Sequence, residues 1–337
     1  MRTNSCLEDG VLPASLKGLH LRLTAMRLSR LCLALSGLVC TTSVQTQTVN
    51  LPTTLLGIKQ LDGEYRQDYA GRQAVNLSGL TEIDGRVYGL GDKPADQCLY
   101  ALSERDNLWK IDGRIELAMR GRADLEGVFS HQREFYVVNE SGQDVYRYRL
   151  QGTKAEKLSL DVAFPWSSAT ALWRNAGLEG VAVDARQGIL YLAKERDPSK
   201  IYVFRLDASG NASYQKEFSV EPASDAHPHQ SVSDLYFEDG FLYVLERRAY
   251  SIAKVDPRQE RVVSRAGYSY LRDASGDLFV DDNGYGLAEA LLLRDREILL
   301  GLDNNGKPIN ERNRLSRQYS LHGDEPAIVR ISRPEGF

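Results

Sequence analysis

The sequence predicts an all-β fold, a β-propeller most simply of five blades. Three observations predict it. A segment with the same order of strands recurs five times. Each recurrence carries short runs rich in Val, Ile, Leu, Tyr and Phe, separated by polar turns, as pleated and largely buried strands require. One strand near the N-terminus has no repeat of its own, and the last repeat shows one strand too few.

The repeat is plainest in residues 177–206, "GLEGVAVDARQGILYLAKERDPSKIYVFRL". It reads as three strands, with "ARQG" as a hairpin turn closed by glycine. Residues 124–150, "DLEGVFSHQREFYVVNESGQDVYRYRL", repeat the order: a Glu-Gly strand, a polar turn, a strand with Tyr, then a third strand. Residues 77–103, 232–256 and 286–305 follow it too, the last with its third strand at "PAIVRIS". Anchored on Leu77, Leu125, Leu178, Val232 and Leu287, the spacings are 48, 53, 54 and 55. A period of about 50 residues with about four strands per unit is the pattern of a propeller blade.

The remaining elements follow from this frame. Residues 1–43 are expected to be a misassigned extension plus a signal peptide that starts at Met26. Arg27 and Arg30 precede an apolar stretch from Leu31 to Cys40, and small residues follow. A short retained anchoring helix is the alternative. Residues 44–337 are expected to form one propeller domain. The strand "TLLGIKQLDGEY" at residues 54–65 is expected to complete the last blade, which closes the ring and removes free sheet edges. Six blades remain open if residues 161–175 conceal a degenerate one. The long polar loop at residues 304–325 reads as a lid or as plain surface.

Composition narrows the function. A hydrophobic fraction of 42% with 26% charged residues is that of a globular chain, and a net charge of −4 argues against a nucleic-acid partner. No apolar run after the signal is long enough to span a membrane. Only Cys98 of the four cysteines lies outside the extension and signal, so an exported, disulfide-free periplasmic or secreted protein of the bacterial envelope is expected.

Two sets of side chains carry candidate chemistry. Glu126 and Glu179 occupy the same place in their first strands, with Asp234 and Glu289 one residue further on and Ser78 and Ser233 in the Glu position of their repeats. First strands line a propeller's central channel. Four carboxylates near one axis raise one another's pKa unless a cation neutralises them, and Ca²⁺ takes six to eight oxygen ligands. The metal set is therefore Glu126, Glu179, Asp234 and Glu289, with calcium as the cofactor. The alternative is that each carboxylate binds backbone N–H groups or Arg as a structural lock.

The second set stands at the ends of the second strands: Asp92, Glu140, Glu195, Glu246 and Asp303, beside Lys93, Lys194, Arg196, Arg247 and Arg248. These form a mixed-charge rim able to hold a metal and an anion, or surface ion pairs of little consequence. Glu140, Glu195, Glu246, Asp303 and Asn304 are the expected ligand-binding positions. Glu179 as base and Arg247 and Lys194 as anion holders are the expected catalytic ones. The recurring tyrosines read as packing, and His227 and His229 as a solvated loop. No serine-nucleophile or phosphate-loop motif is present.

"NAGLEGVAVDARQGILYLAKERDPSKIYVF" and "ADLEGVFSHQREFYVVNESGQDVYRY" resemble the SdiA-regulated family of exported bacterial propellers. "VSDLYFEDGFLYVLERRAYSIAKVD" and "GLAEALLLRDREILLGLDNNG" resemble the phytase-like family, also described as "esterase-like activity of phytase". The resemblance spans residues 77–332. It implies an exported propeller with metal-dependent hydrolysis of a phosphate or carboxylic ester. It points to Glu126, Glu179, Glu246, Arg247, Asp303 and Asn304. The fourth repeat ("VSDL") and the fifth ("LAEA") depart from the Glu-Gly pattern. The competing reading is a non-catalytic envelope scaffold that binds a small ligand or protein partner at one mouth. A lactonase-like hydrolase with the same central metal is a third.

Overall fold

The structure is a computed structural model. It describes residues 48–65, 75–92, 97–117, 119, 123–150, 156–162, 164, 176–223, 231–280 and 287–337. The expected signal segment, Lys93, His227, His229 and most of residues 161–175 lie outside these. Residues 47–337 belong to one compact unit.

Strands β1 (Val49–Leu51) and β2 (Leu55–Leu61) come first. Blade 1 is β3 (Leu77–Ile83), β4 (Arg86–Gly91), β5 (Cys98–Glu104) and β6 (Leu108–Glu116). Blade 2 is β7 (Leu125–His131), β8 (Glu134–Asn139), β9 (Asp144–Arg149) and the short β10 (Glu156–Lys157). After β11 (Ser159–Leu160), blade 3 is β12 (Leu178–Asp184), β13 (Ile189–Lys194), β14 (Lys200–Leu206) and β15 (Asn211–Phe218). Blade 4 is β16 (Val232–Glu238), β17 (Phe241–Glu246), β18 (Ser251–Asp256) and β19 (Arg261–Gly267). Blade 5 has β20 (Ala288–Leu293), β21 (Glu297–Leu302) and β22 (Ala327–Ser332).

The fourth strand of blade 5 is β2, antiparallel to β22 with Ile58 opposite Val329. The N-terminal strand thus completes the last sheet, as the strand count required. Its far edge runs parallel to β6 through Gln60 and Leu61, joining blade 5 to blade 1. Elsewhere β1 extends blade 4 beside β19, and β11 extends blade 3 beside β15, so two further outer edges are covered. The first strands touch in a cycle: β3 on β7, β7 on β12, β12 on β16, β16 on β20, and β20 back on β3. Among the described residues these are the five blade-like meanders.

Sequence dictates the layering. The innermost strands are apolar on both faces; every residue of β12, "LEGVAVD", is buried because neighbouring blades cover both sides. The outer strands β6 and β15 alternate instead, one face on the core and one in water. Asp84–Gly85 and Asp239–Gly240 form two-residue hairpin turns with positive φ at both positions (51° and 75°; 50° and 84°), the demand of a type I′ turn. The tyrosines pack between blades: Tyr191 stacks on Phe237 at 5.6 Å, and Tyr236 meets Phe129 edge-on at 5.5 Å. The Cys98 thiol is buried.

The long loop is pinned rather than poised. Asn304 Nδ2 donates to Lys307 O at 2.9 Å and to Asp324 O at 2.5 Å. Between them lies a short helix, α1 (Arg314–Gln318), capped by Asn313 Oδ1 accepting from Leu315 N–H. Ile309, Leu315 and Leu321 of this loop are buried in the blade 4–blade 5 core.

Candidate functional site

Every first strand carries a β-bulge near its start. Opposite the second strand the register slips between Leu77 and Gly79, Leu125 and Val128, Leu178 and Gly180, Val232 and Asp234, and Ala288 and Ala290. A bulge leaves one residue without a partner and turns its side chain out of the ladder. The residues so turned are Ser78, Glu126, Glu179, Ser233 and Glu289. The fifth repeat is therefore anchored on Ala288, one residue later than the apolar match to Leu287 suggests. Glu289 then stands in register with Glu126 and Glu179.

Asp234 does not stand in that register. It occupies the next position, which is glycine in blades 1 to 3. There the first strands of adjoining blades nearly touch: a Cβ on Gly127 would lie 2.4 Å from Glu179 O, and one on Gly180 would lie 2.8 Å from Leu235 N. Asp234 uses its side chain at this junction. Oδ1 accepts from Leu235 N–H and Oδ2 from Leu291 N–H in blade 5, each at 2.8 Å. Both oxygens are engaged, so Asp234 is placed as a lock between blades 4 and 5, not beside the other three expected metal ligands. Burial pushes its pKa well up even though both N–H groups favour the ionised form.

The residue just after each second strand forms the other ring: Asp92, Glu140, Glu195, Arg247 and Asp303. In blades 2 to 5 their backbone N–H groups donate back to the residue before the first strand: Glu140 N to Asp124 O (2.8 Å), Glu195 N to Gly177 O (2.9 Å), Arg247 N to Ser231 O (3.1 Å) and Asp303 N to Leu287 O (2.8 Å). This geometry folds the ends of the second strands over the bulges. The channel set and the rim set are consequently one site.

Glu246 lies outside that site. It is the last residue of β17, opposite Val232, one place before the ring position. Its carboxylate is buried against Arg265, with Nε at 2.8 Å and Nη2 at 3.1 Å, and accepts from Ser251 Oγ at 2.7 Å. Asn304 lies one place past the ring and anchors the long loop. Lys194 is the blade 3 counterpart of Glu246; its Nζ donates to Arg196 O, and burial lowers its pKa. Asp303 Oδ1 accepts from Asn305 N–H at 2.8 Å.

The site divides into two halves. In one, Arg247 bridges two carboxylates: Nη2 donates to Glu195 Oε1 at 2.5 Å, and Nη1 donates to Glu289 Oε1. Glu195 Oε1 also meets Arg196 Nη1 and accepts from Ser231 Oγ at 3.1 Å. In the other half carboxylates face one another. One oxygen from each of Asp124, Glu126 and Glu140 lies within 4.8 Å of the other two. Burial drives the Glu126 pKa well up, and Glu140, Asp92, Asp124 and Asp303 add to it. Glu140 is raised to about 7, chiefly by burial; the Gly177 N–H it accepts at 2.7 Å pulls the other way, and Asp124 and Glu195 push it up.

Glu179 joins the halves. It is 7% exposed, and no hydrogen bond or ion pair reaches its carboxylate among the described residues. Burial and the charges of Glu126, Glu195 and Glu140 raise its pKa well above normal, while Arg247 opposes them. A buried carboxylate without a donor must take up a proton or a cation. The donors here are all oxygen, the set that a hard divalent ion such as Ca²⁺ accepts. The residues present fit such an ion.

Asp124 is the ligand candidate that sequence reasoning missed. It precedes β7 and is not part of the Glu-Gly motif. The hydrogen bond from Glu140 N to Asp124 O brings it to the ring, and its own N–H donates to Asn139 Oδ1 at 3.0 Å.

No described helix is long and apolar enough to cross a membrane. None of the curated proteins matches the chain. Among solved structures it is similar to the glutaminyl cyclase of Myxococcus xanthus, with 11% identity, TM-score 0.53, and 85% of this chain and 97% of that one covered. It is also similar to the PQQ-bound aldose sugar dehydrogenase of Streptomyces coelicolor, with 10% identity, TM-score 0.41, and 83% and 98% covered. At such identity the first likeness speaks for the propeller fold alone. The profile of the family described as SdiA-regulated matches residues 73–278, more than half of the sequence and all of the first-strand bulges but that of blade 5. The chain belongs to the SdiA-regulated family of β-propellers.

Proposed function

We propose that the channel mouth binds a divalent cation, calcium by its all-oxygen donors, and that the protein is an exported, metal-dependent hydrolase of a small anionic phosphate or carboxylic ester. The observation that carries this reading is the meeting of Asp124, Glu126 and Glu140 within 4.8 Å beside the buried Glu179, whose carboxylate has no hydrogen-bond partner among the described residues. Asp124, Glu126 and Glu140 would hold the ion. When bound, the ion supplies a Lewis acid for an ester or phosphoryl oxygen and acidifies a water molecule.

The protein's own groups do the rest. Glu179, with its raised pKa, is suited to hold a proton taken from that water. Arg247 and Lys194 are engaged with Glu195, Glu289 and Arg196 O. They serve to orient the mouth, and the substrate anion is left to the ion itself. The test is hydrolysis of 4-nitrophenyl phosphate and 4-nitrophenyl acetate by the chain with Ca²⁺ and with EDTA. Turnover that needs Ca²⁺ and falls in Glu179→Gln supports the reading; equal rates with and without protein refute hydrolysis of both ester classes.

A second reading rests on a different observation. Arg247 bridges two ring carboxylates and Asp234 bonds across blades 4 and 5 beside the ring, which favours a structural role for part of the mouth. If the remaining carboxylates serve the same end, the protein is an envelope scaffold whose cation seals the channel and whose mouth receives a small ligand or a protein partner. Cation binding without turnover, and a large rise in melting temperature with Ca²⁺, identifies this case.

A further inference from the structure

Arg247 is the only cation in a ring position otherwise held by Asp92, Glu140, Glu195 and Asp303. It lies where blades 3, 4 and 5 converge, and its guanidinium spans two carboxylates from different blades, Glu195 and Glu289. It satisfies only one oxygen of each. Oε2 of Glu195 and Oε2 of Glu289 are both buried and accept no hydrogen bond among the described residues. The two residues are 1% and 9% exposed. Ser231 Oγ stands beside them as a neutral oxygen donor, 3.1 Å from Glu195 Oε1.

We propose that Arg247 is a built-in cation occupying the place of a second divalent ion, so that the mouth takes one exchangeable ion, at Asp124, Glu126 and Glu140 of blade 2, and loss of Arg247 opens a second divalent-cation site at Glu195 and Glu289. The inference builds on the cation reading above and assigns Arg247 as the residue that fixes where the ion sits and how many enter. A hard, oxygen-seeking ion is the class the second site takes, because its donors are two carboxylates and a hydroxyl. Arg196, which also meets Glu195, remains in place and keeps that site the weaker of the two. Arg247 thereby acts as a positioning residue. Its planar fork suits the bridge between two carboxylates in a way a lysine's point charge does not.

The experiment is a Ca²⁺ titration by calorimetry, with metal content measured in parallel, on the full chain as wild type, Arg247→Gln, Glu289→Gln and Arg247→Gln with Glu289→Gln. The expected result is about one ion per wild-type chain and about two per Arg247→Gln chain, with the double variant returning to about one. Glu289→Gln alone leaves the first ion's affinity within about two-fold of wild type, since that residue is not its ligand. Equal ion counts in wild type and Arg247→Gln overturn the inference while leaving the first ion, and the function built on it, intact. No ion in wild type but one in Arg247→Gln refutes the functional reading and the exchangeable ion with it, and upholds only the part that puts Arg247 in the place of a divalent ion. Should Arg247→Gln fail to fold in EDTA, refolding in Ca²⁺ followed by circular dichroism decides: recovery with Ca²⁺ supports the second site, and recovery in neither buffer overturns it.

Discussion

Arg247 occupies in blade 4 the repeat position that Glu195 occupies in blade 3, and the two meet, Nη2 to Oε1, at 2.5 Å. One substitution of charge within an otherwise acidic ring turns repulsion between neighbouring blades into a bridge. With Glu289 on its other nitrogen, Arg247 ties three blades together at the mouth.

That bridge is mostly buried, Arg247 being 12% exposed at its side chain. Arg247→Met leaves Glu289 without its counter-ion and Glu195 with Arg196 alone. In EDTA at neutral pH the expected loss is about 3–5 kcal/mol, the scale for breaking one partner out of a buried pair. Urea unfolding followed by tryptophan fluorescence measures it. A change below about 1 kcal/mol shows that the bridge contributes no more than a surface pair.

Asp234→Ala removes the acceptor from two buried N–H groups, Leu235 and Leu291. Each orphaned donor costs about 1–3 kcal/mol. The expected variant melts well below wild type with its Ca²⁺ affinity unchanged. Lost affinity at preserved stability would place Asp234 among the ligands after all.

Glu246→Gln gives the complementary contrast. It breaks the buried pair with Arg265 and is expected to destabilise by about 3–5 kcal/mol. Cation binding measured on the folded variant stays as in wild type, because Glu246 faces away from the ring.

The carboxylate cluster also sets a pH dependence. Glu126, Glu140 and Glu179 have folded-state pKa values above their unfolded ones, Glu140 near 7 against 4.5. The folded state binds the extra protons, so the stability that Glu140 contributes is full below about pH 4.5 and is lost as pH rises through about 7, with Glu126 and Glu179 acting in the same direction. Glu140 alone accounts for a change on the order of 3 kcal/mol. Melting temperatures in EDTA are expected to fall from pH 5 to pH 8. Ca²⁺, which replaces the protons, is expected to flatten or reverse that slope. A flat profile in EDTA would mean that the cluster is already neutralised by the protein.

The blades and their closure were legible because burial imposes one apolar period on every unit and strand count alone demanded a partner for β22. The site was legible in composition but not in register. Aligning Leu287 with Leu178 by apolarity put Glu289 one place late and drew Asp234 in as its equivalent, because a bulge adds a residue that no side-chain pattern announces. Glu246 and Arg247 were read as one rim for the same reason: adjacent residues on a strand end point to opposite faces, and only the pairing of Val232 with Glu246 shows which faces the channel. Asp124 had a findable signal, since a residue just before a first strand lies beside the residue just after its paired strand.

The most direct test of the cation centre is calorimetric Ca²⁺ titration of wild type, Glu126→Gln, Glu140→Gln and Glu246→Gln at pH 7.5. The account predicts saturable binding in wild type and Glu246→Gln, weakened at least about ten-fold in Glu126→Gln and Glu140→Gln while all four proteins remain folded. Absent binding in wild type, or binding untouched by loss of Glu126 and Glu140, would contradict it.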